Sequence, residues 1–539
     1  MLSSCGILLT LGMAGCQLHE PDTTFVRDVL RTATRAASAW SNQTERDDLL
    51  SEIALFQAEL QDVDCAIATV ELLEDLDERG RTLVSLIDPL LSHHICESRR
   101  IAAAIKPEYD LNVSYRPMAY AQIGEALARQ GNLTDAREIA KAISLTWGTS
   151  AAYGVVWEVA TYEWISGNEG AALHTLKAIT ADPEDRIRLM VSAAVREYER
   201  GNNVGAYSFL TSATNATEPT EVTARTSREI AIAFASMNDF VGARSAIAKL
   251  ADENEREAFL EWLAIKQLQH HFVNVGELLR EITSDERIDR IRYRVAISRV
   301  EHCDLFGAQD ALGMIRSNEF RALASAKIGQ LQWMVGCCRE SIISFDNAHR
   351  FAEQVALSED GARQGDLFVE LGVALGKCGR SSESRRAFQR AIQIALKKRE
   401  SIDTSVWSTK SHWYSTIRNT PFLRAIAGQL EVGDIHGALH SHSLIDRNSP
   451  SQDGGLSMVA MALFQRREFE RAITIAEKIE SLPLRGFVFR QIAESWVLMG
   501  GTKRAFAWAN AQCNPIVKSN ALLGIAQGTV KLQKSRRSQ

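Results

Sequence analysis

The chain has 539 residues, 45% hydrophobic and 24% charged, with only 10 prolines and 33 glycines. That composition excludes collagen-like, low-complexity and disordered polymers and leaves little room for long linkers. A net charge of -6 over this length lacks the basic face a nucleic-acid binder ordinarily needs, so no nucleic-acid partner is expected.

The N-terminus differs in kind from the rest. Its apolar run, Ile7 to Ala14, is too short to span a bilayer, which takes ~20 residues, but has the size of a signal-peptide core. Met13-Ala14-Gly15-Cys16 resembles the lipobox of bacterial lipoproteins, although Met13 stands where that family has leucine and no Lys or Arg precedes the run. The resemblance implies a signal peptide over 1–15, a lipid on Cys16 and a place in the cell envelope. Residues 16–45 then read as a tether with a leading helix. Without Cys5 and Cys16, the seven remaining of the nine cysteines, Cys65, Cys96, Cys303, Cys337, Cys338, Cys378 and Cys513, are odd in number and irregular in spacing. They predict no disulfide framework. Free thiols suit a reducing compartment, so a cytoplasmic scaffold or regulatory protein stays open as the alternative.

A repeat begins at residue 46. Small anchor residues recur at Ala66, Ser98, Ala136, Ala172, Ala206, Ala243, Gly276, Ala308, Ser341, Ser384, Ala438, Ala472 and Ala505. Twelve residues before them stand Ala54, Leu86, Gly124, Ala160, Ala194, Ala231, Ala264, Ala296, Gly329, Gly372, Ile426, Ala460 and Ala493, and eleven of these thirteen are Ala or Gly. Each unit reads as a helix, a short polar turn that often holds Gly, and a second helix carrying the anchor. Stretches such as "SEIALFQAELQ" show the i, i+3, i+4 apolar spacing of amphipathic helices. Small residues at two fixed places let paired helices approach to the close end of the usual ~8–10 Å. One such pair cannot bury its apolar face alone, so neighbours must stack.

The pattern resembles the tetratricopeptide repeat, a helix pair of about 34 residues. It is closest in "DLFVELGVALGKCGRSSESRRAFQRAIQIAL", where Gly372, Ser384, Phe388 and Ala391 fall on the family's small and aromatic columns. The resemblance implies an all-α, right-handed α-solenoid of about 13 antiparallel helix pairs. Ten repeats would occupy 46–396 and three more 421–539, the last followed by a capping helix near Ile516 to Leu532 and a basic tail. Between them, 397–420 reads as an insertion loop carrying Trp407, Trp413 and Tyr414. Insertions in solenoids map to loops, often on a binding face; this one could equally pack its aromatics over neighbouring units.

Another column is arginine: Arg46, Arg116, Arg186, Arg256, Arg321, Arg418 and Arg485 each lie twenty residues before an anchor. An arginine ladder for an anion is one reading. The better one is a structural arginine at the junction between units, paired with acidic neighbours as in "ADPEDR" and "ADENER".

No phosphate loop, nucleophile elbow or HExxH motif occurs, so a non-enzymatic protein without cofactor is expected. His436, His440 and His442 are the best metal candidates, because imidazoles four residues apart share a helix face, but no third ligand from another unit is evident. Cys303, Cys337, Cys338 and Cys378 share the turn position of successive units. The stronger site is a groove. In tetratricopeptide proteins the first helix of each unit lines the concave face, and that resemblance marks Trp157, Trp164, Arg188, Tyr198, Arg225, Arg228, Arg290, Tyr293 and Trp333 as ligand contacts. Trp, Tyr and Arg are the types enriched at binding hot spots, although such aromatics also pack against a following helix. Glu261 is the only acid counted among these positions, so the expected partner is a protein or peptide, with an acidic or C-terminal segment preferred.

Overall fold

The computed structural model describes residues 23–91, 94–109, 114–177, 184–215, 224–270, 275–355, 362–397, 421–445 and 451–537. Cys16 and the 398–420 part of the insertion lie outside them. Among the described residues every regular element is helical.

Local chemistry explains the hairpins. Helix Tyr115–Arg129 ends at Gly131, whose φ of 83° is the left-handed conformation that glycine adopts at little cost. The Asn132 side chain then accepts from the Asp135 amide and caps helix Leu133–Trp147. Where a unit lacks the turn glycine, Gln61, Asn238, Cys303 or Arg467 takes the same conformation, at φ between 60° and 64°. The Cys303 position is therefore a backbone requirement of the turn.

The anchors fall on the second helices, and those from Ala66 to Ala505 are buried, Gly276 excepted. Gly276 is half-buried and opens the short helix Gly276–Leu279. The residues twelve positions earlier are buried without exception. The two columns touch. Ser341 Oγ donates to the Gly329 carbonyl at 2.8 Å, and Ser384 Oγ to the Gly372 carbonyl at 2.7 Å. A Cβ on Gly372 would lie 2.8 Å from Phe388 Cε1, closer than side chains tolerate. Ala264, fully buried in the same column, is the place to test this packing. Ala264→Leu should lower the thermal unfolding midpoint, since overpacking costs roughly 1–3 kcal/mol; an unchanged midpoint would show that the column is not close-packed.

The chain folds as two compact units, one formed by Gln61–Val63 and Asp75–Glu480, the other by Met1–Leu60, Asp64–Glu74 and Ser481–Gln539. In the larger unit, first helices of successive pairs pack on one another: Tyr115–Arg129 on Tyr153–Ile165, that on Glu184–Glu199, and that on Ala224–Ser236. In the smaller unit, the leading helix Thr23–Ser38 and helix Leu482–Leu498 both pack on the closing helix Pro515–Arg537. Ala521, Leu522, Leu523, Ile525 and Ala526 of that closing helix are fully buried. A Cβ on Gly524 would collide with the Arg490 carbonyl, and Ser519 Oγ donates to the Ala33 carbonyl at 2.8 Å. The closing helix is therefore an interior element, and helix Thr23–Ser38 covers part of it.

Junctions between pairs depend on two adjacent positions. Of the arginine column, Arg46 pairs with Glu74 at 2.9 Å and Arg321 Nε donates to the Ile315 carbonyl at 2.6 Å. Arg256 Nη1 donates to the Leu250 carbonyl at 3.5 Å. These arginines bind the protein itself, which supports the structural reading; Arg418 lies outside the described residues. The next position, nineteen before the anchor, is acidic in several units and carries no motif that marks it in the sequence. There Asp47 accepts from the Glu74 amide (3.0 Å), Glu257 from the Thr283 amide and hydroxyl (both 2.6 Å), and Asp453 from the Glu480 amide (2.9 Å). Asp289 accepts from both the Arg316 (3.0 Å) and Ser317 (2.7 Å) amides. Each carboxylate clamps the backbone where the chain enters the next pair. Bonds from Thr283 hold the Glu257 carboxyl below its ordinary pKa.

Candidate functional site

Helix Tyr153–Ile165 places Tyr153 and Trp157 one turn apart, and their rings stack at 5.8 Å with planes 16° apart. Arg188, from the next first helix, lies over the Trp157 indole at 5.2 Å. Its guanidinium also donates to Glu229 at 3.3 Å and to the Tyr153 hydroxyl at 3.4 Å. Trp157 Nε1 donates to Ser192 Oγ at 3.2 Å. The indole is thus held by a stacked ring, a guanidinium and a hydrogen bond at its edge, a preorganised platform.

Beside it opens a cleft of about 200 Å³, lined by Glu125, Tyr153, Gly154, Trp157, Glu158 and Arg188. A Cβ at Gly154 would strike the Glu125 carboxylate, so glycine is what lets that carboxylate lie against the helix. Glu158 Oε1 accepts from Arg129 (3.1 Å) and Arg196 (2.9 Å), and Glu125 Oε2 accepts from Arg129 at 3.2 Å. Glu158 Oε2 is buried with no hydrogen-bond partner among the described residues. Burial pushes the Glu125 carboxyl above its usual pKa, the nearby Glu158 charge adds to the rise, and Arg129 opposes it.

Of the groove residues read from the sequence, Trp157, Arg188, Arg225, Arg228, Arg290 and Tyr293 stand at least partly open to solvent. Trp164 does not. It is 6% exposed and belongs to the hydrophobic core, so it lines no groove. Tyr198 and Trp333 are half-buried, as Trp157 and Tyr293 are, and Trp157 and Tyr198 both pack against that core. Tyr293 stacks on Phe320 at 5.6 Å, and burial raises its phenol pKa.

The charge balance also differs from the expectation. Arg225 pairs with Glu229 (3.2 Å), Arg228 with Glu255 (3.0 Å), and Arg290 with both Glu261 and Glu286 (2.9 Å each). Glu229, Glu255 and Glu286 lie off the family's contact positions, so a count restricted to those positions omits them. They reach the arginines by helical neighbourhood or across the stack. The surface is balanced, and the surplus positive charge on which an acidic preference rested is absent.

The histidines do not assemble. His442 is half-buried and hydrogen-bonds the Gln452 carbonyl at 3.0 Å, with burial lowering its pKa, while His436 and His440 are exposed. Among the described residues no group of three His, Cys, Asp or Glu could hold a metal ion. The turn cysteines are free thiols, with Cys378 buried and its pKa pushed up to about 11. No described helix is long and apolar enough to cross a membrane.

No protein-family model and no curated protein sequence matches the chain. Among solved structures it is similar to a circular tandem repeat protein with novel repeat topology and enhanced subunit contact surfaces, at 13% identity over 95% of this chain and 99% of that one (TM-score 0.16). It is also similar to the human IFIT1 dimer with m7Gppp-AAAA, at 11% identity over 84% and 94% (TM-score 0.22). A third is the pentatricopeptide repeat protein PPR10 from maize, at 12% identity over 97% and 88% (TM-score 0.27). Helix pairs with two buried small columns and a left-handed turn residue define the class: this is an all-α helical-repeat protein, tetratricopeptide-like in its pairs.

Proposed function

We propose that this protein is a non-enzymatic binding scaffold whose first helices, from Tyr115–Arg129 to Asn318–Met334, hold an extended segment of a partner protein. The observation that carries this reading is the Tyr153–Trp157–Arg188 stack beside an open cleft, built by helices of successive pairs. Arginines matched by carboxylates suit a segment of mixed charge with apolar anchors. A right-handed stack of thirteen pairs would extend this surface into a groove. Anchoring to the cell envelope through a lipid on Cys16 is a separate part of the proposal and rests on the Met13–Cys16 sequence; a cytoplasmic scaffold is the alternative. The N-terminal mass of the cellular protein decides between them, since only anchoring adds a lipid to Cys16.

The partner test is a pull-down with the full chain, with and without nuclease. Trp157→Ala, with its helicity checked by circular dichroism, should reduce partner recovery about thirtyfold, because a hot-spot tryptophan contributes about 2 kcal/mol or more. Arg225→Ala with Arg228→Ala should cost less, since exposed ion pairs contribute roughly 0–1 kcal/mol. Trp407→Ala in the insertion should change nothing. Binding that survives Trp157→Ala but fails in Trp407→Ala puts the site on the insertion, and binding lost to nuclease makes the partner a nucleic acid.

A further inference from the structure

The cleft beside Trp157 has a chemical preference. Its aromatic wall is the stacked pair Tyr153 and Trp157. Its far wall is the Glu125 carboxylate, brought close by the missing side chain of Gly154. The polar groups around it divide unevenly. Arg188 is engaged by Glu229, the Tyr153 hydroxyl and the indole face. Arg129 is shared between Glu125 and Glu158, and Arg196 between Glu158 and Glu199. The guanidiniums are spoken for, while Glu158 Oε2 has no donor and the Glu125 carboxylate is held in a desolvated place. The cleft is lined by two carboxylates and one guanidinium, and that guanidinium is already bonded, so acceptors outnumber the donors left for a guest. Anything apolar that closed over Glu125 would deepen its desolvation, whereas a cation would relieve it.

We propose that the cleft receives the lysine or arginine side chain of the bound segment, its methylene stem along the Tyr153 ring and its cationic head on the Glu125 carboxylate. Long cationic side chains suit this shape because an apolar stem and a charged tip are recognised by different surfaces. The inference deepens the partner reading above and rests on it, since it assigns one side chain of that segment.

The test uses the full chain with its tryptophans labelled at the indole nitrogen, and Trp157→Phe to assign the Trp157 signal. Three tripeptides with blocked termini are titrated: Gly-Lys-Gly, Gly-norleucine-Gly and Gly-Glu-Gly. The lysine peptide should move the Trp157 signal, the norleucine peptide should bind at least about tenfold more weakly, and the glutamate peptide should have no effect. Glu125→Gln should abolish the advantage of lysine over norleucine. Gly154→Ala, which displaces the carboxylate while keeping its charge, should do the same if the first variant folds poorly. Acidification from about pH 7 to pH 5 should weaken only the lysine peptide, because the Glu125 carboxyl, facing Arg129, Glu158, Tyr153 and Arg188, takes up its proton early for a carboxylate. Norleucine binding as well as lysine, glutamate binding best, or no peptide moving the signal would each overturn the inference. If the lysine peptide binds as expected while partner recovery ignores Trp157→Ala, the partner reading alone falls.

Discussion

A chain that begins at residue 40 should lose the folded state of the smaller unit while the larger unit keeps its own. The leading helix Thr23–Ser38 buries Val26, Val29 and Leu30 to within 2% of full burial, along with Ala33 and Ala37. Burying a valine or leucine side chain contributes roughly 1.5–3 kcal/mol, so the three larger residues together account for about 5–9 kcal/mol. That is of the order of a whole domain's stability, about 5–15 kcal/mol. Removal would also leave Ser519 Oγ without the Ala33 carbonyl and expose the face of the closing helix that Thr23–Ser38 covers. Hydrogen exchange read by mass spectrometry should show protection lost in 482–498 and 515–537 and retained in 115–377. Full protection of 515–537 in the shortened chain would mean the leading helix is only an ornament of that unit.

Asp289→Leu should be the most damaging single substitution at a junction. The carboxylate is 3% exposed and one of its oxygens accepts both the Arg316 and Ser317 amides. Leucine fills similar space and accepts nothing, leaving two amide donors without their partner at about 1–3 kcal/mol each. A loss of about 2–5 kcal/mol in urea unfolding is expected, with faster exchange at residues 316 and 317. Asp289→Asn keeps a carbonyl oxygen in place and should cost less. Equal losses for the two variants would show that charge, and not the backbone clamp, is what the junction needs.

Much of the architecture is legible in the sequence because it is local and repeated. A helix announces itself in a 3.6-residue apolar period, a turn in a residue that tolerates positive φ, and a close helix contact in a small residue at fixed spacing. Gly131, Ala264 and Ser384 could each be placed on those grounds alone. Depth is another matter. Trp157 and Trp164 lie seven residues apart, on nearly the same face of one helix, and periodicity treats them alike. Only the stacking of neighbouring helices sends Trp164 into the core and leaves Trp157 beside an open cleft. Partners reached across the stack are hidden in the same way: Arg228 finds Glu255 and Arg188 finds Glu229 only once successive pairs are placed side by side. The longest reach is at the ends of the chain. The sequence marks a leading helix and a closing helix, but packing the one on the other joins Ala33 to Ser519. No local pattern encodes that contact, because burial requires only some apolar partner and the tertiary structure decides which one.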